Sequence, residues 1–334
     1  MTTNFKNIDI TKFLMAIIVV SIHTDPFNNF SNFYYFYHSI IGLPVPFFFL
    51  ATGFFIGRKM QDSGKECYSI SLIKYVKLYL KWSIIYLPLA IHYYIYSTNP
   101  SFTLCSAIKN YFIGLFFTGE HYNSWMLWYL LSLIYTLLLL FIFSKIKLPE
   151  KVSFIISGLI GLPISIIFNF FSTNFENSEG LLHFISWLTR ATIFDGRILR
   201  GFLYIPIGII ISRISINKII SILCFIFGYI LILLDNFWLN DVAIAICSVG
   251  LFCLIISIPN EKIKYETKSF RKLSIVIYFL HMYVYTAYYM VIYGKKTVGI
   301  DSFIVTTVLC IIIGYIYSSK SKLIPEIKTK IVNK

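Results

Sequence analysis

Two histidines, a few lysines and one aspartate carry the chemistry this sequence could do. In IDITKFLMAIIVVSIHTDP, Asp9, Lys12 and His23 interrupt an apolar run. Lys12 and His23 stand eleven residues apart, about three turns, so they share one helix face roughly 16 Å apart along the axis. Asp9 falls within about 60° of the same stripe. Far along the chain, RKLSIVIYFLHMYVYTAYYMVIY places Ser274, Tyr278, His281, Tyr285 and Tyr288 at spacings of four, three, four and three, a single polar stripe down a helix. Imidazole changes protonation near neutral pH, so a histidine kept on such a stripe is a candidate general base. A histidine that only satisfies an interhelical contact is the structural alternative.

Other polar residues admit two readings each. In SLIKYVKLYLKW, Lys74, Lys77 and Lys81 form one basic stripe. They are either lysines snorkelling at a helix end or a site for a phosphorylated cytoplasmic molecule, and Lys81, two turns in, favours the site. His121 beside Glu120 is a candidate acid/base pair on the outer side, whereas His38, His92 and His183 read as interfacial. The six cysteines show neither disulfide nor zinc spacing. No metal site is expected.

These residues need elements to hold them, and composition names the elements. The 334 residues are 57% hydrophobic and only 13% charged, with a mean hydropathy of +0.75. That excludes an ordinary soluble domain. The apolar runs are long and continuous, unlike the alternating segments of an outer-membrane barrel. We expect an all-α polytopic membrane protein with about ten transmembrane helices, over roughly 9–28, 40–60, 73–97, 124–144, 151–172, 197–213, 217–234, 238–259, 272–293 and 301–319. The N-terminal run reads as a retained first span, not a cleaved signal peptide.

The formal charge of +14 does not imply nucleic acid. With the N-terminus inside, every lysine and arginine falls on or near the inner side except Lys109, Arg190, Arg197, Arg200, Lys295 and Lys296. This is the positive-inside pattern of a plasma-membrane protein with both termini cytoplasmic, and it adds attraction to anionic inner-leaflet lipid. The basic tail, Lys320 to Lys334, agrees. The longest gaps, about 98–123 and 173–196, are outer and rich in aromatic, amide and acidic residues; they read as re-entrant or interfacial half-helices around a vestibule. No gap accommodates a second domain, so residues 1–334 form one membrane domain. In the second span the Thr52-Gly53 pair reads as a close helix contact.

The ordered set of motifs resembles the integral-membrane acyltransferase 3 family. Asp9-x-x-Lys12 followed by ten residues and His23 resembles its opening helix, with lysine where arginine is usual. VPFFFLATGFFIG (Val45 to Gly57) is similar to its second span, with Thr52 in place of serine. LWYLLSLI (Leu127 to Ile134) resembles its tryptophan-led span, and KLSIVIYFLH (Lys272 to His281) its late Ser-x-x-x-Tyr-x-x-His segment. Lys74-x-x-Lys77 stands where that family has a basic pair. The flavour is that of the membrane domains of vancomycin-resistance serine racemases.

The resemblance implies transfer of an acyl group, usually acetyl from acetyl-CoA, to a hydroxyl of an extracytoplasmic glycan or other envelope molecule. His23 is then the expected general base, with His281 and Asp9 completing the catalytic set. Lys12, Lys74, Lys77, Ser274 and Tyr278 are expected to bind the acyl-CoA donor. Lysines hold phosphate as point charges, without the fork of arginine. A transporter or permeation module for a small molecule such as an amino acid is the alternative, since a polar stripe through a bundle also serves translocation. The absence of paired Gly/Pro-broken spans in two halves weighs against it.

Overall fold

The computed structural model describes residues 5–28, 30–96, 103–193, 196–264 and 266–332, without the side chains of residues 31, 32, 34, 35 and 319–332. The side chains of the basic tail, Lys320 to Lys330, and all of Lys334, lie outside that description, as do residues 98–102 of the first outer gap and 194–195 of the second. The described residues are helical, with no strand among them. The chain opens with α1 (Lys6–Thr24), α2 (Ser31–Ile41), α3 (Pro44–Ser63), α4 (Glu66–Tyr96) and α5 (Leu104–Ile113). It continues with α6 (Trp128–Lys145), α7 (Glu150–Leu159), α8 (Ser165–Asn174), α9 (Gly180–Ile193) and α10 (Arg200–Ile211). It ends with α11 (Lys218–Leu233), α12 (Phe237–Ser257), α13 (Lys268–Ile292) and α14 (Ile300–Val332).

Among the described residues seven stretches are long and apolar enough to cross a membrane: Lys6–Thr24, Phe36–Ser63, Trp125–Lys145, Glu150–Asn174, Phe237–Ser257, Lys268–Ile292 and Ile300–Ser318. The chain is a polytopic helical membrane protein. The other three expected spans are helical but fall short for separate reasons. Lysines, tyrosines and His92 lower the hydropathy of the 31-residue α4. Helices α10 and α11 have 12 and 16 residues, fewer than the ~20 that cross a bilayer untilted.

The chain forms two compact units. The first joins residues 1–44 to 255–334, and in it α13 packs against both α1 and α14. The start of α1 is tied down by the Lys6 ammonium donating to the Ile263 carbonyl (2.7 Å) and by Asn7 donating to that of Ile258 (2.5 Å). Its end is set by Asp25, left-handed at φ 38°, whose N–H closes back on Ser21; Pro26 then prevents continuation. The turn between α13 and α14 reaches the same end: the Gly299 N–H donates to the Thr24 carbonyl (2.7 Å). Tyr285 in turn donates to the Thr297 carbonyl (2.6 Å).

The second unit holds residues 45–254. Its tightest crossing is α3 on α10. A Cβ on Gly53 would lie 2.2 Å from the Ile205 carbonyl oxygen, and one on Gly208 would lie 2.3 Å from that of Leu50. Only glycine on both helices permits so close an approach. Beside this crossing Thr52 and Tyr129 share a buried hydroxyl contact of 3.1 Å.

Candidate functional site

In the first unit the two intramembrane histidines meet. His23, in the last turn of α1, and His281, on α13, stack with ring centroids 5.2 Å apart and planes inclined by 27°. His281 is fully buried, and its ring is oriented by its own helix. Nδ1 lies 3.0 Å from the Ile277 carbonyl and 2.8 Å from that of Tyr278. Carbonyl oxygens only accept, so Nδ1 carries the hydrogen, and in the neutral ring Nε2 presents a lone pair. Among the described residues Nε2 has no hydrogen-bond partner. His23 is half-buried, so the pair combines an enclosed, fixed ring with a more accessible one.

Asp9 is engaged near the other end of α1. Its carboxylate, 2% exposed, takes a two-pronged ion pair from Arg271, Nε to Oδ1 and Nη2 to Oδ2, both at 2.8 Å. Thr267 donates to Oδ2 as well (3.0 Å). This clamp joins α1 to α13 fourteen residues before His23, about 21 Å away along the helix. The two helices therefore run parallel, with the charged clamp near their N-terminal ends and the imidazole pair further on. The structure brings His23 and His281 together and leaves Asp9 with Arg271.

The other expected residues distribute along this axis and beyond it. Lys12 is half-buried on α1, one turn past Asp9. Ser274 is buried, with its hydroxyl donated to the Arg271 carbonyl (2.9 Å). Tyr278 is buried one turn before His281, ring centroids 6.4 Å apart. Lys74 and Lys77 belong to the second unit, where both are exposed on α4. His183 contacts the Glu176 carbonyl at 3.0 Å and His92 packs on Tyr96.

The family profile described as an acyltransferase domain, of the acyltransferase 3 family, matches residues 5–319. The chain belongs to the acyltransferase 3 family. A 131-residue segment is 28% identical to an amino-acid racemase of Enterococcus faecalis, covering 38% of this chain. The chain spans only 17% of the length of that relative. No solved structure matches.

For this acyltransferase 3 chain, the residue that sequence reasoning missed is Arg271. Its signal was present: Arg271, Ser274, Tyr278 and His281 continue the stripe at spacings of three, four and three. By sequence alone it is one of the inner-side charges of the positive-inside pattern. Arg271 supplies the bidentate fork that Lys12 lacks, directed at a carboxylate of the protein's own first helix.

Proposed function

We propose that the protein is a membrane-bound O-acyltransferase that moves an acyl group, acetyl by preference, from cytoplasmic acyl-CoA to a hydroxyl of an extracytoplasmic glycan or other envelope molecule. The stacked His23–His281 pair, with the Nε2 of His281 unanswered, carries this reading. In our reading both units form one acyltransferase domain in the cell membrane, with ten spans and cytoplasmic termini. Of the three helices short of span criteria, the 31-residue α4 crosses tilted and the shorter α10 and α11 cross where the bilayer thins locally, in keeping with the positive-inside count.

His23 takes the proton of the acceptor hydroxyl as its oxygen attacks the thioester carbonyl. The carbon–sulfur bond then breaks, and the proton passes to the leaving thiolate, giving ester and free CoA thiol. His281 acts beside it. With Nδ1–H committed to two backbone carbonyls, a neutral His281 accepts at Nε2 and does not donate to an oxyanion. It therefore orients a donor group of the substrate. Two imidazolium ions so close would repel in a buried site, so the pair holds one added proton at a time. Lys12 in the first unit, and separately Lys74 and Lys77 in the second, are proposed as point charges for phosphates of the donor.

Purified protein in lipid vesicles, given radiolabelled acetyl-CoA and envelope polymer, should label the polymer. Full labelling by His23→Ala would overturn the assignment of the base. The likeness to an amino-acid racemase supports a second reading, a permeation module for a small amino acid. Uptake of labelled serine into the vesicles without acetyl transfer would establish that reading instead.

A further inference from the structure

Two adjoining cavities, of about 390 and 500 Å3, lie wholly within the second unit and share Asn110, Thr118 and Glu120 in their walls. Lys109, Trp187 and Arg190 also line the first. Tyr93, His121, Tyr122 and Trp125 also line the second. Both volumes fall in the ~300–1,000 Å3 range of pockets that hold organic ligands.

The loop between α5 and α6 sets Glu120 between the two. Gly119, at φ 67°, turns the chain back, its N–H donating to the Gly114 carbonyl (2.7 Å). A Cβ there would stand 2.4 Å from the Trp128 backbone. Tyr122 follows at φ 36°, a left-handed conformation that a non-glycine residue adopts at a cost and that clusters at functional sites. Its ring stacks on Tyr93 of α4, centroids 4.5 Å apart and planes inclined by 25°.

Charge divides unevenly between the cavities. Among the described residues Glu120 is the only charged one that lines the second. His121 does not offset it, because burial pushes its pKa down to about 4 and leaves the ring neutral at pH 7. A carboxylate among tyrosine and tryptophan rings, with no lysine or arginine beside it, is the setting for an organic ammonium, which is drawn to the negative faces of aromatic rings. In the first cavity Glu176 pairs with the Arg190 guanidinium, and Lys109 brings a positive charge, the complement of a phosphate.

The helices beside the cavities carry apolar surface outwards. With 10 and 14 residues, α5 and α9 are too short to cross a bilayer. Each exposes an apolar stripe next to its cavity-lining one: Leu104, Ile108 and Phe112 on α5, and Leu181, Phe184 and Leu188 on α9. Short helices with such a face lie along the boundary between headgroups and acyl chains.

We propose that the two cavities hold the headgroup of a zwitterionic amine phospholipid, of the phosphatidylethanolamine class. Its ammonium meets Glu120 and the rings of Tyr93, Tyr122 and Trp125, its phosphate meets Lys109, and its acyl chains run along α5 and α9. This lipid has no hydroxyl to acylate, so it is a bound partner and not the acceptor of the transfer. An anionic phospholipid would answer Lys109 but set a second negative charge near Glu120. A free amino acid would leave both apolar stripes uncovered.

The test is native mass spectrometry of the full chain released from detergent micelles that contain phosphatidylethanolamine, its N-acetyl derivative or phosphatidylglycerol, all with the same acyl chains. Retention of phosphatidylethanolamine at least tenfold above both others, with the preference lost in Glu120→Gln and in Tyr93→Leu, supports the proposal. Equal retention of the amine and its N-acetyl derivative overturns it, as does stronger retention of phosphatidylglycerol. So does a preference that survives both substitutions, or displacement of the lipid by an equal concentration of free phosphoethanolamine, which would make the ligand a soluble one. The unsubstituted protein alone can refute the proposal, so a variant that misfolds does not remove the test. No acyl donor is present, so failure here leaves the acyl-transfer reading untouched, and failure of that reading leaves this one untouched.

Discussion

The protein encloses two buried histidines in different ways. His281 in the first unit has one nitrogen fixed by two helix carbonyls and the other without a partner among the described residues. His121 in the second unit has its backbone pinned by Ser124 and neither nitrogen answered by a described residue. A ring fixed at one nitrogen has a defined tautomer and direction before any substrate arrives, which is what orienting a reacting group beside the general base needs. A ring fixed at neither is held by packing alone, which suits an uncharged wall.

The contrast breaks most directly at the first unit. His23→Ala should lower acyl transfer by about 10²–10⁴-fold, the usual share of a positioned base, and His281→Ala by about 10²-fold through lost orientation of the substrate, with helical circular dichroism unchanged. If His281→Ala transfers at the normal rate while His121→Ala does not, the roles assigned to the two rings are reversed.

The next largest effect belongs to His121 and concerns stability. Its native pKa of about 4 lies below the ordinary histidine value of 6.5, so the unfolded chain takes up the proton first. The stability tied to this ring is complete above about pH 6.5, declines as pH falls towards 4 and is level below that, a change of about 3 kcal/mol. Thermal midpoints measured from pH 7 to 4 should fall less in His121→Gln than in the parent. Parallel curves would mean that the ring is not buried uncharged.

A smaller effect is expected at the clamp. Asp9→Asn removes the charge that faces Arg271, whose side chain is partly exposed, at a cost of about 2 kcal/mol. Adding Arg271→Gln should cost little more, and a double-mutant cycle on thermal midpoints measures that coupling. Full additivity would show that the two residues do not act together. The smallest change is Lys12→Arg, which keeps the charge; the Michaelis constant for acetyl-CoA should move by about threefold or less, against about tenfold or more for Lys12→Ala. Equal values for the two variants would remove Lys12 from donor binding.

What could be read from the sequence is what periodicity encodes. The stripes of α1 and α13 follow from three- and four-residue spacings, and so does the prediction that each carries an inward imidazole. Their stacking was not legible, because it depends on how two segments more than 250 residues apart settle side by side. Asp9 shows the limit well: its position on the stripe was right, but its partner, Arg271, comes from the far end of the chain. Gly53 could be read as a small residue at a helix contact, though not its counterpart Gly208. The cavity around His121 gathers residues from α4, α5, a loop and α9, with no period to reveal it. Only the Glu120-His121 pair was visible beforehand.

One hydrogen bond outside both sites has mechanical consequences. The turn joining α13 to α14 grips the last carbonyl of α1 through Gly299, and Tyr285 grips that turn two residues earlier, at Thr297. His23 is the residue just before the gripped carbonyl. The connector thus works as a tether, so that a displacement of residues 293–299 is transmitted to the reactive ring through a single peptide unit. Substitutions in that connector, remote from any substrate, are where the alignment of the reaction could be detuned while the bundle stays intact.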